Sequence, residues 1–270
     1  VIGNKCSHDN SIINELGERQ LNYGSLIVYT SADSDLQIAA HEDIISAEQL
    51  YDYCEKVREL TMREDFLVAR VIARPFTGKN GKFKVNNAGR KDYSISPPKK
   101  TILDDLNENG YNVIGIGKIN DIFAEQGINK ALKATNNQEA LNKLSSIMDK
   151  NFTGLCIVNL AAFDNLYGHL RDVEGYGKAL EDLDVEMPLL LNRLEMDDLL
   201  IITADHGNDP TFKGNDHTRE NVPIIMYCRN FKTPHRLEPQ ETLACIGATI
   251  ADNFDLEPPE IGTSLLDNFD

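Results

Sequence analysis

The sequence predicts an α/β protein with a parallel-rich sheet flanked by helices. Three observations support this class. From Thr101 onward, short apolar runs typical of buried strands alternate with stretches of helical pattern. Several of the runs end abruptly in polar or glycine-containing turns, as buried parallel strands do. The chain of 270 residues is also long enough to bury a substantial core in one or two domains.

The first third of the chain carries fewer elements. The apolar strand ends in the polar turn Thr30–Ser34. The helix is preceded by Ser46, which together with Gln49 has the spacing of a capping box. The predicted elements here are strand Leu26–Tyr29, helix Ala47–Leu60 and strand Phe66–Ala73, which ends in Arg74-Pro75.

Two stretches of this first third are predicted to lack strands. Residues 77–98 are rich in Gly, Asn, Lys and Pro and show little periodicity, which predicts a long loop between two domains. His41 is expected on a helical or turn segment, with no metal-ligand partner at a useful spacing.

The remainder of the chain alternates between helices and strands. Pro188 lies inside the longest predicted helix and is expected to bend or divide it. The predicted elements are helix Ile102–Asn109, strand Asn112–Ile116, helix Asn137–Met148, strand Gly154–Leu160, helix Val173–Arg193, strand Leu199–Thr203, strand Val222–Tyr227 and helix Glu241–Asn253.

Composition excludes several function classes. A net charge of −16 with no basic stripe argues against nucleic-acid binding, although a small phosphorylated substrate needs only a few local cations. No stretch has the length of a membrane span, and the N-terminus has no apolar signal region, so a membrane partner is not expected. Five cysteines without a pairing or metal spacing favour a reducing cytoplasm.

Two short segments carry the side chains that point to metal chemistry. Asp205 and His206 follow the strand Leu199–Thr203, and Asp164 and His169 follow the strand Gly154–Leu160, while His217 lies a short polar loop after Asp205-His206. If both strands belong to one parallel sheet, their carboxyl ends share an edge and the two pairs converge.

This set of residues favours metal binding over a structural role. A lone Asp-His pair would more simply cap a turn and satisfy a hydrogen bond. Three imidazoles and two carboxylates together suit Zn, Mn or Fe, and five such ligands support two divalent ions bridged across a phosphate. The candidate ligands are Asp164, His169, Asp205, His206 and His217.

Five stretches of the chain resemble the phosphopentomutases, a family within the alkaline phosphatase-like metalloenzyme superfamily. The stretches are IVYTSADSDLQIAAHE, RVIARPF, GRKDYSISPP, NLAAFDNLYGHLRDVEGY and TADHGNDPTFKGNDHTRENVPI. The similarity runs essentially from end to end, and the last string is highly specific, whereas a bare Asp-His-Gly would indicate only the superfamily. The resemblance implies an alkaline phosphatase-like core with a smaller α/β cap domain.

The resemblance also implies an activity and its cofactors. The reaction would interconvert ribose 1-phosphate, or 2-deoxyribose 1-phosphate, with the corresponding 5-phosphate through a phosphothreonine. Two Mn²⁺ ions would assist the transfer, and a bisphosphorylated sugar could serve as an activator. Asp164, His169 and His217 would hold one ion, and Asp205 and His206 would contribute to the other.

On the substrate side, the resemblance assigns sugar contacts to Ser31 and Asp33 and phosphate contacts to Arg70 and Lys118. Short polar side chains can hydrogen-bond ribose hydroxyls, although a simple turn is a strong alternative for Ser31 and Asp33. Arginine suits a bidentate phosphate contact and lysine acts as a point charge, although without the resemblance both would be interpreted as solvated surface charges.

The resemblance to the phosphopentomutases also implies two domains. Residues Val1–Lys91 would form a substrate-binding cap and Asp92–Asp270 the C-terminal part of the metal-binding core. The family's first core strand, with a metal-binding Asp, and its nucleophilic Thr precede the region that corresponds to Val1, so no catalytic nucleophile is assigned here. Two alternatives therefore stay open: a catalytically incomplete homologue that binds metal or sugar phosphate, and another phosphotransferase of the superfamily.

Overall fold

The computed structural model describes residues 1–7, 9–30, 35–79 and 81–269. Within these ranges the chain forms two compact units. The first comprises Val1–Ser96 with Asp121–Ala124, and the second comprises Pro97–Asn120 with Glu125–Asp270. Both combine helices with sheets that contain parallel strand pairs, so the predicted α/β class is confirmed.

The first unit is built on a six-stranded sheet in the order β1-β2-β3-β4-β5, with β6 also paired to β4. The pairs β1–β2 and β3–β4 are parallel. The pairs β2–β3, β4–β5 and β4–β6 are antiparallel. The strands are β1 (Ile2–Cys6), β2 (Ile27–Thr30), β3 (Asp35–His41), β4 (Arg70–Lys79), β5 (Lys82–Val85) and β6 (Lys91–Ser94).

One helix packs on each face of this sheet. Helix α1 (Asp9–Tyr23) contributes Ile12 and Ile13 to a core that also contains Phe76 of β4. Helix α2 (Ala47–Leu60) contributes Leu50 and Cys54 to a second core on the opposite face. Side chains alternate between the faces of a strand, so β3 and β4 supply both cores.

Helix α2 begins where the sequence predicts. The hydroxyl of Ser46 accepts a hydrogen bond from the backbone N–H of Gln49 at 3.2 Å. This contact satisfies one of the backbone donors that the first helical turn leaves without an intrahelical partner.

Strand β4 differs from its prediction. Phe66 lies in a short 3₁₀ helix (Glu64–Phe66), and the strand runs from Arg70 through Pro75 to Lys79. Pro75 is tolerated because β6 pairs with the first four residues of β4 and β5 with the last four. Pro75 therefore lies where β4 changes its antiparallel partner, and no hydrogen bond along that edge is lost.

The expectation of a long loop over residues 77–98 is wrong. The end of β4, both β5 and β6, and a short 3₁₀ helix (Asn87–Gly89) lie in this stretch. Its Gly, Asn and Lys residues form tight turns and half-exposed edge strands, and hydrophobic periodicity is weak in such strands.

His41 is also corrected, because it is the last residue of β3 and not part of a helix or turn. Its side chain is buried, and its Nε2 donates to the carbonyl of Gly78 at 2.8 Å, while its Nδ1 accepts from the backbone N–H of Asp43 at 3.1 Å. Both ring nitrogens thus serve the fold, in agreement with the expectation that His41 is not a metal ligand.

The second unit contains a three-stranded parallel sheet and a two-stranded antiparallel sheet. In the first, β7 lies between β8 and β9. In the second, β10 pairs with β11. The strands are β7 (Asn112–Ile116), β8 (Lys130–Leu132), β9 (Gly154–Val158), β10 (Leu200–Thr203) and β11 (Ile224–Tyr227).

Four predicted helices of the second unit agree with the structure for most of their length: α3 (Ile102–Glu108), α5 (Asn137–Met148), α6 (Val173–Arg193) and α7 (Cys245–Asn253). The short helix α4 (Ile119–Ile122) was not predicted. Helix α5 packs Ala140 and Ile147 against Ile114 and Ile116 of β7. Helix α6 continues unbroken through Pro188, so the proline does not divide it. No helix in the described part of the chain has the length and hydropathy to cross a membrane.

The expectation that the strands before Asp164 and Asp205 share one parallel sheet is not met among the described residues. β9 pairs with β7, whereas β10 pairs only with β11, and does so antiparallel. Apolar runs indicate buried strands but do not specify strand order or direction, which is why the sequence pattern misled here.

A substitution at Gly154 tests the pairing of β9 with β7, which positions the C-terminal end of β9. Its φ is 148°, and a Cβ would overlap the backbone of Asn112 in β7. We expect Gly154→Ala to lower the free energy of unfolding by about 2 kcal/mol or more, measured by urea denaturation. Gly177→Ala in α6 is the matched control, since a Cβ there meets open space and should stabilise by about 0.5–1 kcal/mol. Equal, small effects of the two changes would contradict the pairing.

Candidate metal centre

Asp164 and His169 are brought together by a π-helical turn. After β9, residues Phe163–Gly168 form a π-helix, and the backbone N–H of His169 donates to the carbonyl of Asp164 at 3.0 Å. In an α-helix, with about 100° per residue, side chains five positions apart would diverge by about 140°. The wider π turn places them on one side, and such turns are frequent at functional sites.

His217 is presented by a loop whose ends are tied together. Gly207 and Thr218 form an isolated antiparallel bridge, in which the N–H of Thr218 donates to the carbonyl of Gly207 at 3.0 Å. The hydroxyl of Thr218 also accepts from the N–H of Asp209 at 2.7 Å. Residues 208–217 therefore form a closed loop on the second unit.

The loop places His217 against the π-helical turn. The Nε2 atom of His169 lies 3.4 Å from Oδ2 of Asp164, and that of His217 lies 3.3 Å from Oδ1 of the same carboxylate. One ligand atom from each of Asp164, His169 and His217, which we call the triad, lies within 4.8 Å of the others. The structure thus brings together three of the five predicted ligands.

The protonation pattern of the triad suits a cation. The Nδ1 of His169 donates to the carbonyl of Asn215 at 2.5 Å, so in the neutral ring Nε2 is an acceptor. That lone pair and the carboxylate oxygen then face each other, an arrangement that a positive ion between them stabilises. Two imidazoles and one carboxylate also match the ligand types of Zn²⁺ and Mn²⁺ sites.

The carboxylate of Asp164 is held in its charged form. Burial alone would raise its pKa. When the imidazoles are protonated, hydrogen bonds from His169 and Asn208 and the positive charges of His169 and His217 together hold the pKa well below its usual range. A charged carboxylate is the form that binds metal.

Asp205 and His206 lie beside the triad without joining a second group of three ligands among the described residues. The His206 ring stacks on that of His217 at a centroid distance of 3.7 Å. Its Nε2 is 3.6 Å from Oδ1 of Asp205, whose side chain is 75% exposed. Their assignment to a second ion stays a prediction.

Sequence reasoning missed two side chains that support the triad. The amide of Asn208 donates to Oδ1 of Asp164 at 2.7 Å. The guanidinium of Arg171 in turn donates to the side-chain oxygen of Asn208 at 2.6 Å. Outer contacts of this kind fix the orientation of metal ligands. The Asp-His spacing gave no signal for either residue, although both lie within the strings quoted above.

The predicted substrate residues occupy different parts of the chain. Lys118 follows β7, and because β7 and β9 are parallel neighbours, it lies at the same sheet edge as the segment that leads to Asp164. Arg70 is the first residue of β4 in the first unit. Ser31 and Asp33 lie outside the described residues.

Arg70 belongs to a cluster of buried or half-buried charges. Its Nε donates to Asp35 at 3.0 Å, and its Nη1 lies 4.0 Å from Asp92. Arg90 contacts Asp92 through two hydrogen bonds of 2.6 and 2.7 Å. Arg74 is also buried, and burial together with the positive charge of Arg90 lowers its pKa to about 10. These five side chains thus comprise three guanidinium groups and two carboxylates.

A comparison with known protein families identifies the family to which the chain belongs. Residues 34–258 match the family described as the Metalloenzyme superfamily. The match covers well over half of the 270 residues, so the chain belongs to the metalloenzyme superfamily. Membership and the triad together indicate a metal-dependent enzyme that uses a divalent ion.

The triad can be separated experimentally from the Asp205–His206 pair. We expect Asp164→Asn to weaken Mn²⁺ binding more than about 100-fold, because a charged ligand is lost, and His206→Ala to weaken it less than about 10-fold. Binding is measured by isothermal titration calorimetry on the full chain. His235→Ala, an exposed histidine elsewhere, should bind as the wild type does. If His206→Ala abolished binding as completely as Asp164→Asn, the ion would have to be shared between the triad and the Asp205–His206 pair.

Proposed function

We propose that this chain belongs to a phosphopentomutase, which interconverts ribose or deoxyribose 1-phosphate with the corresponding 5-phosphate. The observation that carries the proposal is the meeting of Asp164, His169 and His217, from two separate segments, at one point of the second unit. These segments contain the most specific of the strings that resemble the family. The reaction is an isomerisation by phosphoryl transfer, and its partner is a small sugar phosphate.

The triad would hold one of two divalent ions, which we propose to be Mn²⁺. Such an ion stabilises charge on the oxygens of a transferring phosphoryl group. Asp164 supplies a fixed negative charge, and the two imidazoles supply neutral nitrogen donors. Asp205 and His206 would serve the second ion, with a bisphosphorylated sugar as activator. The stacking of His206 on His217 supports a placement of this pair next to the triad.

We propose the phosphate and sugar contacts that the resemblance implies, taken for each unit by itself. Lys118, at the sheet edge that leads to Asp164, would provide a point charge for phosphate. In the first unit, Arg70 would contact phosphate through its planar guanidinium, which suits a bidentate contact with phosphate oxygens. Ser31 and Asp33 would contact sugar hydroxyls. The five free cysteines support a cytoplasmic location.

One observation favours a second candidate, a protein that binds metal and sugar phosphate without transferring the phosphate. Among the described residues, Asp205 and His206 form no group of three ligands, so the second ion has fewer donors than the first. Two-metal transfer needs both ions, because one stabilises the attacking oxygen and the other the leaving oxygen. A single-ion site would still bind a phosphate.

Phosphorus-31 NMR tests the reaction. The protein purified from its native cells, with its intact mass measured on the same sample, is mixed with Mn²⁺ and ribose 5-phosphate. We expect a ribose 1-phosphate signal that disappears in Asp164→Asn. Binding without conversion would replace the proposal with the second candidate. Release of inorganic phosphate, or cleavage of a phosphodiester, would replace it with another phosphotransferase of the superfamily.

Substrate binding and metal binding should separate in two further variants. Lys118→Gln should raise the dissociation constant for ribose 5-phosphate about 10-fold, since a charged contact contributes about 1.5 kcal/mol or more. Asp33→Ala should weaken the selection of the sugar. Both should retain the wild-type metal content, measured by elemental analysis. Loss of metal in Asp33→Ala would show that the assignment of sugar and metal to different domains is wrong.

A further inference from the structure

Arg171 has an unusual backbone conformation directly after the π-helical turn. Its φ is 56°, in the left-handed region that residues with a side chain rarely adopt. Its backbone N–H donates to the carbonyl of Gly168 at 3.2 Å. The chain thus turns sharply after His169, and a strained residue of this kind persists only where its surroundings stabilise it.

The side chain of Arg171 makes five hydrogen bonds, four of them to the loop that carries His217. One Nη1 contact returns to the carbonyl of Gly168 at 2.8 Å. The acceptors on the loop are the side-chain oxygen of Asn208 and the carbonyls of Asp209, Gly214 and Asp216. One planar group therefore joins the π-helical turn to both ends of the loop.

Each ligand of the triad is adjacent to an atom that Arg171 holds. Asn208, which accepts from Arg171, donates to Asp164. Gly214 and Asp216, whose carbonyls accept from Arg171, flank Asn215, and the carbonyl of Asn215 accepts from His169.

The third ligand, His217, directly follows Asp216, whose carbonyl lies 2.6 Å from Nη2 of Arg171. Each of the three ligands is therefore separated from the guanidinium of Arg171 by only one residue or one peptide unit. Loss of that guanidinium would leave several loop carbonyls without their donor at once.

We propose that Arg171 is a positioning residue for the metal centre, which fixes the loop of residues 208–217 so that Asp164, His169 and His217 share one ion. The inference rests on the metal binding proposed for the triad and does not depend on the phosphomutase reaction. Lysine cannot replace Arg171, because its single ammonium offers three donors at one point and not a planar fork across several acceptors.

The test compares Mn²⁺ affinity and the visible spectrum of bound Co²⁺ in full-length variants. Outer-shell partners typically contribute 10–100-fold to metal affinity, so we expect Arg171→Gln to weaken Mn²⁺ binding about 10–100-fold and to alter the Co²⁺ spectrum. Arg171→Lys keeps the positive charge and most of the aliphatic part of the side chain, so we expect it to fold. We nevertheless expect it to bind Mn²⁺ at least about 5-fold more weakly than the wild type does. Arg193→Gln, at the far end of α6, removes the same charge from an exposed ion pair and should leave both readouts unchanged.

The outcomes separate this inference from the proposed function. Folding is checked by circular dichroism without metal, and if Arg171→Gln does not fold, Arg171→Lys alone decides. Wild-type affinity and an unchanged Co²⁺ spectrum in Arg171→Lys and in any folded Arg171→Gln would overturn the role of Arg171 while leaving the metal site intact. A wild-type chain that binds neither Mn²⁺ nor Co²⁺ would contradict the metal site itself, and with it any positioning role.

Discussion

The site depends on one electrostatic arrangement: the carboxylate of Asp164 lies 3.4 Å from one imidazole nitrogen and 3.3 Å from another. Because the Nδ1–H of His169 donates to the carbonyl of Asn215, the Nε2 of the neutral ring faces the carboxylate as an acceptor. Acceptors gathered in this way repel one another unless a cation or a proton lies between them. The polypeptide must therefore hold the three groups in place by contacts outside the triad, and Asn208, Asn215 and Arg171 supply such contacts.

The two halves of the site are held by different physical means. Asp164 and His169 follow β9, a strand of a parallel sheet packed against α5 in an apolar core. The loop that carries His217 extends from the β10–β11 sheet, in which Ile225 remains 56% exposed. With little apolar burial near the loop, its conformation depends on hydrogen bonds, chiefly the Gly207–Thr218 bridge and the contacts of Arg171.

The sequence predicted several local elements well and the pairing of strands poorly. Helix α2 and strand β7 match their predicted bounds, because apolar periodicity and the Ser46 cap are local signals. Strand β4 passes through Pro75 because its antiparallel partner changes there, which depends on distant residues. The five candidate ligands came from spacing, whereas the support from Arg171 runs largely through backbone carbonyls, which every residue has and no sequence pattern marks.

The most direct test of this account is X-ray absorption spectroscopy at the metal edge of the full chain loaded with one equivalent of Mn²⁺. An ion held by the triad should show a first shell of mixed nitrogen and oxygen ligands, with the outer-shell scattering of two imidazole rings, from His169 and His217. An oxygen-only shell without imidazole scattering would mean that the ion binds elsewhere, and the meeting of Asp164 with the two histidines would then be structural and not a metal centre.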